Sequence, residues 1–353
     1  MMKKILTPII IMTLLLTSIT AIGIKTTNQE TGYTTIIIDG NDQFTSENGV
    51  ISGAGHIGYP YIIQFDEAID SLTIKNTDKL FIVQNSIINW DIEFTSVSDG
   101  TIKNCEFTGE NSDIYLCCTN NMVIQDLSTL VEIHIDYSDY VIIHDLKLNG
   151  ELSENDVGID LFDSTNCEVY NCDITGGISE YEISGLRIEN LAYVDPDPRN
   201  IIHNCNISNF DNGILVSSDR NTIYNCNVHD CVIGIHLWAS NQNIIYHNNF
   251  YDNQNNAKGE DFPLDWNFLY KDKSGNYWDD YDEPCELAFD SDGDGIIDLP
   301  YIISDHNMDC YPLAKKYTGG KIKTKENTMN KEFNNILSYL FEQFPLLTRL
   351  LKL

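Results

Sequence analysis

Short units in which apolar residues flank a single residue recur along most of this chain: Leu72/Ile74, Ile92/Phe94, Ile114/Leu116, Ile133/Ile135, Ile159/Leu161, Leu186/Ile188, Ile214/Val216 and Ile235/Leu237. Alternation by two is strand period, not helix period. The units return at steps of about 20 residues, longer where loops intervene. A second column keeps register with them: Asn85, Asn104, Asp126, Asp145, Asn171, Asn204 and Asn225. Each is followed at once by Ser86, Cys105, Leu127, Leu146, Cys172, Cys205 and Cys226, and two positions later by a third column. That column reads Ile88, Phe107, Thr129, Leu148, Ile174, Ile207, Val228 and, in the last coil, Phe250.

Two short strands per repeat, with no amphipathic helix between them, cannot build a βαβ sheet. Each unit is too small to bury its own apolar face, so the units must stack. The prediction is an all-β, right-handed parallel β-helix, because nearly all parallel crossovers are right-handed. The Asn column is expected to form a buried amide ladder from coil to coil. Cys105, Cys172, Cys205 and Cys226 read as small core thiols, with disulfides between coils as the alternative. Both ends of such a rod need covers. Residues 31–70 are expected to cap the first coil, 71–270 to form the coils and 271–315 to cap the far end. A polar linker (316–330) then leads to an amphipathic helix (331–353), with Phe333, Ile336, Leu337, Leu340, Phe344, Leu347 and Leu351 on one face. That helix is expected to dock on the rod or mediate self-association.

Charge narrows the partners. The formal net charge is −32, from 53 Asp and Glu against 21 Lys and Arg. Nucleic acid and anionic lipid both need a positive footprint and are excluded as partners. Lys3 and Lys4 followed by an uncharged apolar run, Ile5 to Ile24, make residues 1–25 a signal peptide or an uncleaved N-terminal anchor. The chain is therefore expected outside the cell or on its surface, touching a membrane only through that segment.

Three groups of residues carry candidate chemistry. Asp290, Asp292, Asp294, the Ile296 carbonyl and Asp298 match the oxygen positions of an EF-hand-like loop, with Gly295 at the sharp bend. The loop is expected to bind Ca2+ structurally. Tyr301 stands where a bidentate acid belongs, leaving Asp279, Asp280, Asp282 or Asp305 to complete the shell. Cys285 and Cys310 flank the loop and are the best disulfide candidates. On the outward face of the first strand column, Tyr115, His134, Asp160, Arg187 and His236 sit in corresponding coils, with Asp136, Phe162, Glu189 and Trp238 one step along. His134, Asp160 and Arg187 are the catalytic candidates, since adjacent strands would bring Asp160 to both partners. Tyr115, Asp136, Phe162, Glu189, His236 and Trp238 are the ligand-binding candidates, and a solvated sheet face with ordinary cross-strand pairs is the alternative. His144 and His203 alternate with Tyr170 and Tyr224 as surface residues, two coils apart and too distant to share a metal.

Three stretches carry a family likeness: NGVISGAGHIGYPYIIQF (Asn48 to Phe65), the NTIYNCNV and NIIYHNNF coils near Asn221 and Asn243, and GNYWDDYDEPCELAFDSDGDGIIDLPYIISDHNMDCYPL (Gly275 to Leu313). On these residues the chain resembles the NosD-like β-helix family, also grouped among carbohydrate-binding and sugar-hydrolase (CASH) β-helices. The resemblance implies the fold more than an activity. Its name-giving members are copper-insertion factors, yet this chain has no Cys-x-x-Cys pair, Met-rich tract or clustered histidines, so copper is not expected. Binding of a carbohydrate or surface component is the favoured function. A polysaccharide lyase or glycoside hydrolase comes second, with Asp136, Asp160 and Glu189 as the available carboxylates, and copper handling third.

Overall fold

A computed structural model describes residues 26–27, 34–109, 112–127, 131–149, 157–178, 183–190, 199–260, 267–283 and 286–319. The leader, most of the linker and the expected C-terminal helix lie outside these. The described chain is a stack of parallel coils of the right-handed solenoid type, with three strand columns along its length. The first sheet has 11 strands, the second 10 and the third six, with a further two-stranded parallel pair. The repeat units pair as their spacing predicts: Ile114 with Ile133, Ile133 with Ile159, Ile159 with Leu186, Leu186 with Ile214 and Ile214 with Ile235. Every apolar member of those units is buried, as are Ile88, Phe107, Leu148, Ile174, Ile207, Val228 and Phe250 in the third column. Thr129 lies outside the described residues.

The first sheet begins earlier than residue 71. Thr34–Asp39 already pairs in parallel with Ser71–Thr77, so the segment expected only to cap the rod also supplies its first strand. The covering element is the antiparallel pair Val50–Ser52 and Tyr61–Ile63. At the far end Phe250, Trp278 and Tyr301 stack in series, with centroids 4.6 and 4.5 Å apart, closing the core.

The amide ladder exists, but not in the column expected. Asn85, Asn104, Asp126, Asp145, Asn171 and Asn204 are exposed and Asn225 is half-buried. All seven have φ between 49° and 57°, the left-handed region that Asn and Asp tolerate best among side-chain-bearing residues. They are corner residues of the coil, and only partial side-chain bonds join them, such as Asn225 Nδ2 to Asn204 Oδ1 at 3.3 Å. The buried ladder is Asn200–Asn221–Asn243–Asn267–Asn307, each fully excluded from solvent or nearly so. Asn243 shows its logic. Its Oδ1 accepts from the Asn221 backbone N–H (2.8 Å) and Nδ2 (3.0 Å), while its own Nδ2 donates to Asn267 Oδ1 (2.8 Å) and the Ser218 carbonyl (2.8 Å).

A second buried ladder grows out of the Cys column. The Cys226 N–H donates to Asn248 Oδ1, Asn248 to Asn276 Oδ1, and Asn276 to the Asp309 carboxylate, which also accepts from Trp278 Nε1 at 3.0 Å. Burial lifts the Asp309 carboxyl to about 7 against these donors. Cys105, Cys172, Cys205 and Cys226 are free thiols, buried as core fillers. Gly158, Gly185, Gly213 and Gly234 form one further column, in which a Cβ would lie 2.6–2.8 Å from the carbonyl of the next coil. Any side chain there would force the coils apart.

Candidate functional site

Strand register brings the predicted catalytic candidates together. His134 pairs with Asp160 and Asp160 with Arg187 on successive strands of the first sheet. Arg187 holds Asp160 in a fork, Nε to Oδ1 at 2.9 Å and Nη2 to Oδ2 at 2.5 Å. His134 Nδ1 lies 3.8 Å from the same carboxylate, and its Nε2 meets Glu132 at 3.2 Å. Arg187 also faces Glu189, at 3.7 Å. The result is a continuous line of alternating charge, Glu132–His134–Asp160–Arg187–Glu189, with Asp160 only 3% exposed.

The electrostatics fix the roles these groups can play. Asp160 and Glu132 raise the His134 pKa to about 10, so its imidazole is a cation at neutral pH and has no free lone pair with which to act as a base. Burial pushes the Asp160 carboxyl up, but Arg187 and His134 together outweigh it and hold the group below its ordinary range. Asp160 is thus a fixed anion with both oxygens engaged. The neighbouring Asp136 differs: burial raises it, and it accepts from the Tyr115 hydroxyl at 2.9 Å.

The remaining ligand-binding candidates are spread along the face. Asp136 pairs with Phe162 and Phe162 with Glu189. Leu215 occupies the strand between Arg187 and His236, and His236 approaches Glu260 at 3.7 Å. Trp238, 48% exposed, stands beyond Ser217 and so three coils from Phe162. Tyr137 joins the face unpredicted. It follows Asp136 and should alternate inward, but φ of 49° turns it outward, where it is 51% exposed and packs edge-on against Phe162 with centroids 5.7 Å apart. Tyr115, Tyr137 and Phe162 therefore border the charged line, and Trp238 stands two coils beyond Glu189.

On the second sheet, His144, Tyr170, His203, Tyr224 and Tyr246 form one stack with centroids 4.8 to 5.3 Å apart. Their ring faces cover one another, leaving no free face in the interior of the stack for a ligand.

In the C-terminal loop the Asp290, Asp292 and Asp294 carboxylates converge, with ligand atoms within 4.8 Å of one another. Gly293 and Gly295 take φ of 72° and 92°, and backbone N–H groups of Gly293, Asp294 and Gly295 donate to Asp290. Asp298 accepts from Ser291, at the opposite end of the turn. Three of the four acids expected to complete the shell are engaged elsewhere: Asp279 and Asp280 both accept from Asn256 Nδ2 at 2.7 Å, and Asp282 accepts from Tyr277. Tyr301 bonds Asp280. Cys310 is a free, half-buried thiol; Cys285 lies outside the described residues.

Comparison with known proteins follows the architecture. Solved structures similar to this chain include ORF18 of Geobacillus virus E2 (TM-score 0.41, 16% identity, covering 74% of this chain and 63% of that one). Others are the A-module of the mannuronan C-5 epimerase AlgE6 of Azotobacter vinelandii (0.33, 13%, 65% and 70%) and the periplasmic alginate epimerase AlgG (0.30, 12%, 66% and 74%). At these scores the likeness says nothing about activity. No curated protein matches the chain. A family model described as periplasmic copper-binding protein (NosD) matches residues 47–283, two thirds of the chain, and on that match the chain belongs to the NosD family.

Proposed function

We propose that this chain is an exported binding protein that recognises a carbohydrate or another cell-surface component along the outer face of its first sheet. The observation that carries the reading is a locked ionic line bordered by aromatic side chains, with Trp238 further along the same face. A cationic His134 and an Arg187-bound Asp160 make poor proton carriers but a rigid set of polar contacts, and Tyr115, Tyr137, Phe162 and Trp238 offer rings to apolar sugar faces. Glycan-array binding tests it. Trp238→Ala or Phe162→Ala should weaken binding by about tenfold, or about 1.4 kcal/mol, without changing the melting temperature. A wild-type protein that binds no glycan, or variants that bind as well as it does, would sink the proposal.

A polysaccharide lyase or hydrolase is the second reading, supported by Asp136, whose burial raises its carboxyl beside the Tyr115 hydroxyl. Release of oligosaccharide products by the wild type, lost in Asp136→Ala, would favour it over binding alone.

The copper in the family's description does not fit the described residues. Among the described residues, the one group of three or more His, Cys, Asp or Glu with converging ligand atoms is Asp290, Asp292 and Asp294. Carboxylate oxygens suit calcium, whereas copper favours imidazole and sulfur. We propose that Ca2+ binds there, with the Ile296 carbonyl and Asp298 contributing, and steadies the cap. Excess Ca2+ should raise the melting temperature by several degrees, because a ligand bound only to the folded state stabilises it. In Asp290→Asn/Asp292→Asn the rise should vanish; an unchanged wild-type melting curve removes the metal from the account.

A further inference from the structure

Among the nine described cysteines, six are buried in the core; Cys310 in the C-terminal segment and the adjacent Cys117 and Cys118 are not. Cys117 is the outward residue at the end of strand Ser112–Cys117, in register with Thr95 and Asp136. Cys118 follows it at the corner and by strand alternation would point inward. It does not, because its φ is 58°. The same corner position carries φ of 56°, 54°, 49° and 45° at Asn76, Ser96, Tyr137 and Asp163, so the turn belongs to the coil and not to the cysteine. That turn swings the Cys118 side chain outward beside its neighbour, and the two sulfurs lie 3.3 Å apart at the exposed edge of the first sheet.

We propose that Cys117 and Cys118 close into a vicinal disulfide, a redox modification site at the rim of the outer face. The oxidant is a disulfide donor of the thiol–disulfide exchange class. The exposed Cys118 loses its proton and attacks one sulfur of the donor, forming a mixed disulfide and releasing the first donor thiolate. The Cys117 thiolate then attacks the Cys118 sulfur, expelling the second donor thiolate. The pair gives up two protons and two electrons, and the donor is reduced to two thiols. The sulfurs are already in contact, and closure makes an eight-membered ring through the intervening peptide. The two Cα atoms, about 3.8 Å apart, are closer than in ordinary disulfides, so the bridge is strained and readily reduced. The site is independent of the carbohydrate reading, since closure requires no ligand.

The test uses the full chain, reduced, desalted and incubated with oxidised glutathione. Mass spectrometry should find the peptide carrying both cysteines lighter by two hydrogen atoms, with no glutathione retained. Cys118→Ser should instead hold one glutathione on Cys117, because the resolving partner is gone, and Cys117→Thr should hold one on Cys118. Both replacements already occur at those positions one coil earlier, as Ser96 and Thr95, so the fold should tolerate them. Stable glutathione adducts on the wild type, or a bridge from either residue to a different cysteine, would overturn the proposal. So would a wild type whose two thiols remain free after prolonged exposure.

Discussion

Asn243→Ala should lower the unfolding free energy by about 3–5 kcal/mol, since it strips partners from several buried polar groups at once. The Asn221 backbone N–H loses its acceptor, Asn221 Nδ2 loses one of its two, and the Ser218 carbonyl loses its donor, at a site with no exposure to water. Asn204 is the control. It is exposed, its φ is 55°, and its side chain makes only long or peripheral bonds. Asn204→Ala should cost about 1 kcal/mol, the strain of alanine in a left-handed turn, and Asn204→Gly almost nothing. Urea denaturation of the three variants with m unchanged gives the comparison. Equal losses at Asn204 and Asn243 would mean that the ladder has been assigned to the wrong column.

The same contrast shows how much of the fold was legible. Apolar alternation placed eight strand units correctly because burial leaves a direct mark on hydropathy: a residue facing the core of a stacked coil has no polar option. Asparagine leaves two different marks. It is selected at exposed corners for its tolerance of positive φ, and in buried ladders for an amide that both donates and accepts. A signal separating them was present. The exposed column admits Asp126, Asp145 and finally His247, and a buried stack would not tolerate unpaired carboxylates at successive levels. The column holding Asn200, Asn221, Asn243 and Asn267 admits no acid and stands directly before the second-sheet strand position.

The outer face was legible to the extent that it follows register. Asp160 between His134 and Arg187 came from spacing alone. His236 stands one strand beyond Leu215 and two beyond Arg187, as the successive units Leu186/Ile188, Ile214/Val216 and Ile235/Leu237 imply. Tyr137 and Cys118 escaped because a left-handed corner reverses the side on which a side chain emerges, and hydropathy does not record φ. The charge state of His134 was likewise invisible, because it depends on Glu132, two residues away on the same strand, acting together with Asp160 from the next.

Arg187→Ala should destabilise the protein by about 2–4 kcal/mol, toward the lower part of the range for breaking a buried ion pair, because the guanidinium is partly in water. Its side chain is 30% exposed, while that of Asp160 is 4%. Most of the loss comes from the carboxylate left without its fork, so Asp160→Leu/Arg187→Leu should recover much of it. The pH dependence separates this cause from lost packing. In the wild type Asp160 is held below its unfolded pKa, so its contribution is present above the ordinary carboxylate range and is lost as pH falls through the folded value. In Arg187→Ala burial is no longer outweighed and the folded pKa rises above the unfolded one. The folded state then takes up the proton first, and stability should increase as pH falls toward that range. His134 supplies the opposite limb: with its folded pKa near 10 against 6.5, its contribution is complete below 6.5 and disappears as pH rises through about 10. Thermal melts of wild type and variant from mildly acidic to alkaline pH should therefore slope in opposite directions on the acid side. Parallel curves would mean that Arg187 serves the sheet through its aliphatic stem and not through the charge it offers Asp160.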